Sequence, residues 1–310
     1  MDEGHVLVIG SAGIDVKGRP TQELEWETSN LGRVRNSVGG VARNIAENLA
    51  RLEVETILLT AVGKDNAGRR VIHKCEDAGI NCARVQTIPQ ARTGTYLALL
   101  TPKGDLMTAI SDFAVIQHVN SDYLRSHEDL FAEAAMVVLD ATLSPDALAT
   151  AFELTTRHQV RICVDPTTPA LALNLCQYID QMYMVSPNAA ETTALCGLED
   201  PAHDYESATN AARQLVAMGA KVAVVTLGEK GLAYADGSGG GHIPAISTRV
   251  VDPTGAGDAF SGAVIFGLLN EVPLDEALRL GVTAASLTLQ SPHTVLPHLS
   301  QEMLYNQLAI

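Results

Sequence analysis

The run Asp252-Pro253-Thr254-Gly255-Ala256-Gly257-Asp258 leads into Ala259-Phe260-Ser261-Gly262-Ala263 and a long stretch of helical period. A glycine-rich turn feeding a helix aims several backbone N–H groups at one point, and the helix dipole adds positive potential there. The amides of Gly255, Ala256 and Gly257 therefore read as an anion hole. Asp258, at its end, sets a carboxylate beside a bound phosphate, where it can take the proton of an attacking hydroxyl. The competing role for the same carboxylate is a simple helix cap. No G-x-x-x-x-G-K-[ST] loop occurs, and the first strand is followed by Gly10-Ser11-Ala12-Gly13 rather than G-x-G-x-x-G. The chain thus carries neither a Walker loop nor a dinucleotide fingerprint.

Three further clusters could serve the same chemistry. Gly39-Gly40-Val41-Ala42-Arg43-Asn44 opens the first long helix. Paired glycines there let a ligand come close to the backbone, and Asn44 offers both a donor and an acceptor to a polyol. Asn188-Ala189-Ala190-Glu191 follows a strand ending in Val185-Ser186-Pro187. The i, i+3 spacing puts Asn188 and Glu191 on one helix face, which suits a hydrated Mg²⁺. It equally suits an N-cap with a glutamate at N3. Thr226-Leu227-Gly228-Glu229-Lys230-Gly231 ends another strand in a turn whose glycines can admit a nucleotide.

The elements that must position these clusters follow from apolar periodicity. Val6–Ile9, Thr56–Val62, Met136–Asp140, Val160–Asp165, Met182–Ser186 and Lys221–Thr226 read as buried strands, each followed by a helix. Such alternation predicts an α/β fold with a parallel sheet covered on both faces and ligands beyond the carboxyl ends of the strands. Segments 12–38 and 94–112 lack helical period. Tyr96–Leu100, Lys103-Gly104-Asp105 and Leu106–Ile110 read as a hairpin, so the two segments are expected to form a small β lid. Gly237–Gly241 reads as a hairpin tip.

Composition narrows the partners. With 36 Asp+Glu against 21 Lys+Arg, the formal charge of -15 argues against a nucleic-acid polymer, and the 4% of aromatic residues against base stacking. Lys17, Arg19, Arg33 and Arg35 cluster near the lid, where solvated charge is the plain reading and phosphate contact the other. Five cysteines without a C-x-x-C pair are expected to be free thiols, which suits a cytoplasmic setting. No basic n-region opens the chain and no apolar run is long enough to span a membrane.

Taken in order, the four clusters resemble the ribokinase-like (PfkB) family of carbohydrate and nucleoside kinases over essentially the whole chain. Three longer stretches, Gly10–Gly18, Ser29–Leu52 and Thr95–Phe113, are most similar to the bacterial pseudouridine kinases of that family. The resemblance implies one kinase domain over 1–310, a three-layer sandwich around a mostly parallel sheet, and a small-molecule nucleoside or sugar as acceptor. It makes Asp258 the base and Gly255, Ala256 and Gly257 the anion hole. Asp15, Gly39, Gly40 and Asn44 become acceptor contacts, and Ser111 and Asp112 in the lid become candidate readers of a base. Asn188, Thr226, Gly228 and Gly231 fall on the ATP site, and Glu191 on Mg²⁺ reached through water. Asp252 and the Thr254 carbonyl occupy the position of a monovalent cation, K⁺, and exposed apolar faces on the lid would suit a homodimer. One departure stands out: relatives usually carry Asn where this chain has Gly13.

Overall fold

Strands buried on both faces must be apolar throughout, and the runs picked out above satisfy that condition. The computed structural model describes residues 4–308 and sets these runs in one eight-stranded sheet. Its order is Gly239–Ile243, Leu232–Asp236, Val222–Thr226, Met184–Val185, Arg161–Asp165, Ala134–Asp140, His5–Ile9 and Thr56–Leu59. From Val222–Thr226 to the Thr56–Leu59 edge every pairing is parallel, and the opposite edge is an antiparallel hairpin.

Alternation along each strand divides the core in two. Val6, Val8, Leu58, Met136, Val138 and Val224 face one layer of helices, among them Val41–Arg51, Ala256–Leu269 and Leu274–Leu289. Leu7, Ile9, Leu59, Val137, Leu139 and Val225 face the other, with Pro145–His158 and Tyr205–Ala217. The result is the expected three-layer arrangement. The helix Ala256–Leu269 is buried at every position from Ala259 onward, as its all-round apolar sequence requires. It is wedged between its two neighbours, with Gly262 lying against Asn48 of the Val41–Arg51 helix.

The lid is a separate four-stranded sheet in the order Gly32–Gly39, Gly13–Pro20, Gly94–Leu100, Leu106–Asp112. Asp15, Lys17 and Arg19 share one of its faces with Arg33, Arg35, Ser37 and Tyr96, as their cross-strand register dictates. The other face exposes Val34, Leu97 and Ile110, the last two being direct partners.

Three local expectations change. The run Thr56–Val62 breaks at Thr60: Thr56–Leu59 stays in the main sheet, while Ala61–Gly63 pairs with Gln86–Ile88 in a two-stranded sheet of its own. The buried Thr60 carbonyl takes the Gln86 amide at 2.9 Å, which redirects the chain. Val222–Thr226 is followed by an antiparallel hairpin rather than a helix, because Gly228–Lys230 forms a tight turn closed by Gly231 N–H to the Gly228 carbonyl at 3.0 Å. The hairpin tip lies at Asp236–Gly239, where the Asp236 carboxylate accepts from the Ser238 and Gly239 amides, and Gly239–Gly241 belong to the strand.

Candidate active site

Gly255 begins the site. Its φ of 82° lies in the left-handed region, and a Cβ there would sit 1.9 Å from the Thr294 carbonyl oxygen, so only glycine fits. From it the helix Ala256–Leu269 starts without any side-chain cap. The first amides of a helix have no intrahelical acceptor, so those of Ala256 and Gly257 are left to point outward. Beside Gly257, a Cβ would meet nothing within 4 Å, and this is the open side of the hole.

Asp258 stands in the first turn of the same helix. Its carboxylate accepts from Asn44 Nδ2 at 2.7 Å, across 214 residues of chain. Asn44 is itself fixed, because its side-chain oxygen accepts from Arg43 at 2.9 Å and Arg43 is paired with the buried Glu47. Burial pushes the Asp258 pKa up to about 7; the Asn44 hydrogen bond pulls it back, and the carboxylates of Asp15 and Asp140 raise it. A buried carboxylate raised toward neutrality beside uncapped helix amides has the chemistry a general base needs.

The lid base and the first helix meet beside Asp258. The carboxyl of Asp15 lies directly over Gly39, where a Cβ would be 2.4 Å from it. Burial raises its pKa to about 6, against the lowering influence of Lys17 and Arg43. Gly40 brings the chain against the Ser11 carbonyl, and the buried Asp140 gathers the amides of Ser11 and Ala42 at 2.8 and 3.0 Å. Asp140 thus pins the start of the helix that carries Asn44. Gly13 pairs with Gly39 on one side and Gly94 on the other, a row of three glycines across the lid base. A Cβ on Gly13 would fall 2.3 Å from the Gly94 carbonyl and 2.8 Å from the Phe113 ring. The space an asparagine would need is filled.

Asn188, Thr226 and Gly228, the residues expected at ATP, line one pocket of about 390 Å³ with Ala202, His203 and Lys230. The Thr226 amide donates to the Pro187 carbonyl at 2.9 Å, which ties the two segments together. Gly231 lies outside this lining and closes the turn, where a Cβ would fall 2.1 Å from the Ile243 carbonyl oxygen. Asn188 and Glu191 form a complete capping box: Asn188 Oδ1 accepts from the Glu191 amide at 3.0 Å, and Glu191 Oε2 from the Asn188 amide at 2.9 Å. Burial raises the Glu191 pKa, and the Asn188 hydrogen bonds oppose that. Behind them stands Asp165, whose pKa burial raises well above the ordinary value, with Asp258, Glu191 and Asp140 adding to the effect.

Two candidate pairs are treated differently by the structure. Lys17, on the lid, places its ammonium 2.9 and 2.8 Å from the two Asp252 oxygens and also bonds the Thr254 hydroxyl. Burial would raise the Asp252 pKa, but these bonds and the Thr254 amide outweigh it and hold the carboxylate below its usual range. The charge that Asp252 and Thr254 would offer K⁺ is therefore met by the lid. Ser111 and Asp112 fall on opposite faces of their strand. Ser111 pairs with Tyr96 on the face that carries Asp15, whereas Asp112 lies on the opposite, outer face, is exposed, and accepts from the Ala114 amide at 3.3 Å. Alternation removes Asp112 as a reader of anything beneath the lid.

Sequence reasoning missed Lys17 as a partner of Asp252, and it missed Asp140 and Asp165. Both aspartates end buried strands, at Ala134–Asp140 and Arg161–Asp165, and a carboxylate at the carboxyl end of an apolar run is the signal that points to them.

Comparison with known proteins agrees with this fold. The model of the "pfkB family carbohydrate kinase" matches residues 3–301. Pseudouridine kinase of Escherichia coli K12 is 31% identical over 96% of this chain and 95% of its own length. Guanosine-inosine kinase of Exiguobacterium acetylicum is 29% identical over 92% and 94%. A ribokinase of Arabidopsis thaliana, solved with ribose and ATP, shares the fold with a TM-score of 0.84 over 99% of both chains at 23% identity. With its glycine-rich anion hole, its facing carboxylate and a family match over nearly its whole length, the chain belongs to the pfkB family of carbohydrate kinases.

Proposed function

We propose that the protein transfers the γ-phosphoryl group of ATP to the 5′-hydroxyl of pseudouridine, giving pseudouridine 5′-phosphate. The observation that carries the kinase chemistry is the Asn44–Asp258 hydrogen bond beneath an uncapped helix start, with Asp15 close enough to raise the Asp258 pKa. An acceptor hydroxyl held between Asp15 and Asn44 has its proton beside Asp258 and its oxygen in line with an anion at Gly255–Gly257. Little covalent work then falls to the protein; placement and charge stabilisation dominate. Pseudouridine as the acceptor is supported by the E. coli relative and by the three similar stretches at the lid and first helix.

Mg²⁺ held near Asp165 and Glu191 would supply positive charge to neutralise what develops on the ATP phosphates. The residues present fit an ion held through its water shell. Asp165, Glu191 and Asp258 press negative charge on one another, yet no three carboxylate, histidine or cysteine groups among the described residues lie close enough to chelate a metal directly. Asp165, at a strand end, and Glu191, in the first turn of the helix Ala189–Cys196, would orient that hydrated ion. The adenine and ribose of ATP would lie along Thr226, Gly228 and Asn188. Closing of the lid over the acceptor would keep water from the phosphoryl group. A homodimer through the exposed Val34, Leu97 and Ile110 of the lid belongs to the same proposal.

The test is ADP release with Mg-ATP against pseudouridine, uridine, inosine, cytidine and ribose. Pseudouridine should give the highest kcat/KM, well above uridine. A preference for inosine, the kind of acceptor named for the E. acetylicum relative, would keep the mechanism and overturn the substrate.

A further inference from the structure

The inner face of the lid carries a charge pattern that phosphoryl transfer at Asp258 does not use. Lys17 lies directly opposite Arg35 and Arg19 directly opposite Arg33 on neighbouring antiparallel strands. Like charges placed opposite each other destabilise a sheet, and this chain carries a formal charge of -15. All four cations line a single cavity of about 660 Å³, walled by Tyr96, Leu100 and the loop Val251–Thr254. That volume suits a small-molecule site. The carboxylate on the opposing loop, Asp252, is already bonded by Lys17 through both oxygens. Arg19 donates to the Pro102 carbonyl at 3.0 and 2.6 Å, which holds its guanidinium at the rim. The side chains of Arg33 and Arg35 have no hydrogen-bond or ion-pair partner among the described residues, their backbones alone being paired, in the lid sheet. Two free guanidinium forks over a cavity match phosphate or carboxylate oxygens.

We propose that this cavity is a second anion-binding site, separate from the hole at Gly255–Gly257, which takes the phosphate or carboxylate of a small molecule on Arg33 and Arg35. Arg35 lies opposite Lys17, two residues beyond Asp15, and Arg33 lies opposite Arg19, four residues beyond it, so the two guanidinium-bearing positions stand about 7 and about 13 Å from the acceptor carboxylate along the lid. The anion is either a distal group of the acceptor itself or a separate small molecule; the recognising chemistry is the same. The proposal does not depend on pseudouridine being the acceptor.

The experiment uses the full chain with Mg²⁺ and a non-hydrolysable ATP analogue at saturation, so that the anion hole is filled. Inorganic pyrophosphate is then titrated calorimetrically. The wild-type protein should bind it, Arg33→Ala/Arg35→Ala should weaken binding at least about tenfold, and Arg33→Lys/Arg35→Lys, which keeps the charge but not the fork, should bind between the two. Both side chains are exposed, and an unchanged unfolding temperature will show that the double variant is folded. No binding to the wild type, or equal binding by the alanine variant, overturns the site. A second arm compares a nucleoside with its 3′-monophosphate as acceptor. A preference for the phosphorylated form that the alanine variant loses assigns the anion to the acceptor. Pyrophosphate binding without that preference assigns it to a separate molecule. Because the binding arm contains no acceptor, its failure is distinct from failure of the pseudouridine reading.

Discussion

Asp258 must be ionised to take a proton, and its surroundings resist that. Burial dominates, and a pKa raised to about 7 means that a falling pH protonates the base within the physiological range. The kcat/KM for the acceptor should therefore rise with pH to a plateau, with an apparent pKa near 7 on its acid limb. Asn44 bonds the ionised form, so Asn44→Ala removes a lowering influence and should shift that limb to higher pH. A limb that stays in place or moves down would remove Asn44 from this role. The positions of Asp258 and Asn44 in the first turns of two helices were legible in the sequence because each follows a glycine-bearing turn whose geometry is local, whereas Asp15 entered only through the family resemblance. The roles of Asp140 and Asp165 were not legible, since they arise where separate strands end side by side. Asp112 misled for a simpler reason: a motif places a residue on a strand, but parity decides which face it takes.

At the scale of elements, the lid meets the anion-hole loop through Lys17 and Asp252. The pair is largely shielded, with side-chain exposures of 12% and 23%, so removing one partner leaves a partly desolvated charge. Lys17→Met should lower kcat/KM about tenfold, and K⁺ or NH₄⁺ should restore part of the loss. The wild type should work equally well when K⁺ is replaced by choline. A K⁺ requirement in the wild type, or no rescue of the variant, would contradict this assignment. The hairpin of segment 94–112 was legible from alternation and its Lys103-Gly104-Asp105 turn, and it forms as Gly94–Leu100 and Leu106–Asp112. The lid-to-loop contact was not, because it joins residues 235 apart in the chain. Gly13 likewise made sense only with Gly94 and Phe113 packed against it.

Across the whole molecule, the parallel order puts the carboxyl ends of Ala134–Asp140, Arg161–Asp165 and Val222–Thr226 on one rim, where Asp140, Asp165 and Thr226 stand. The helix Ala256–Leu269 lowers its start onto the same rim, and Ser261 lies 3.4 Å from Ser186 there. Strand–helix alternation foretold that rim, and the family match over residues 3–301 agrees with it. Every part of the arrangement converges on one carboxylate. The most direct measurement is therefore the turnover of Asp258→Asn, taken together with Mg-ATP binding and thermal unfolding of the same variant. The account predicts a loss of at least about 10²-fold in kcat with binding and stability retained. Turnover within a few-fold of the wild type would show that Asp258 is not the base and that the proton leaves by another route.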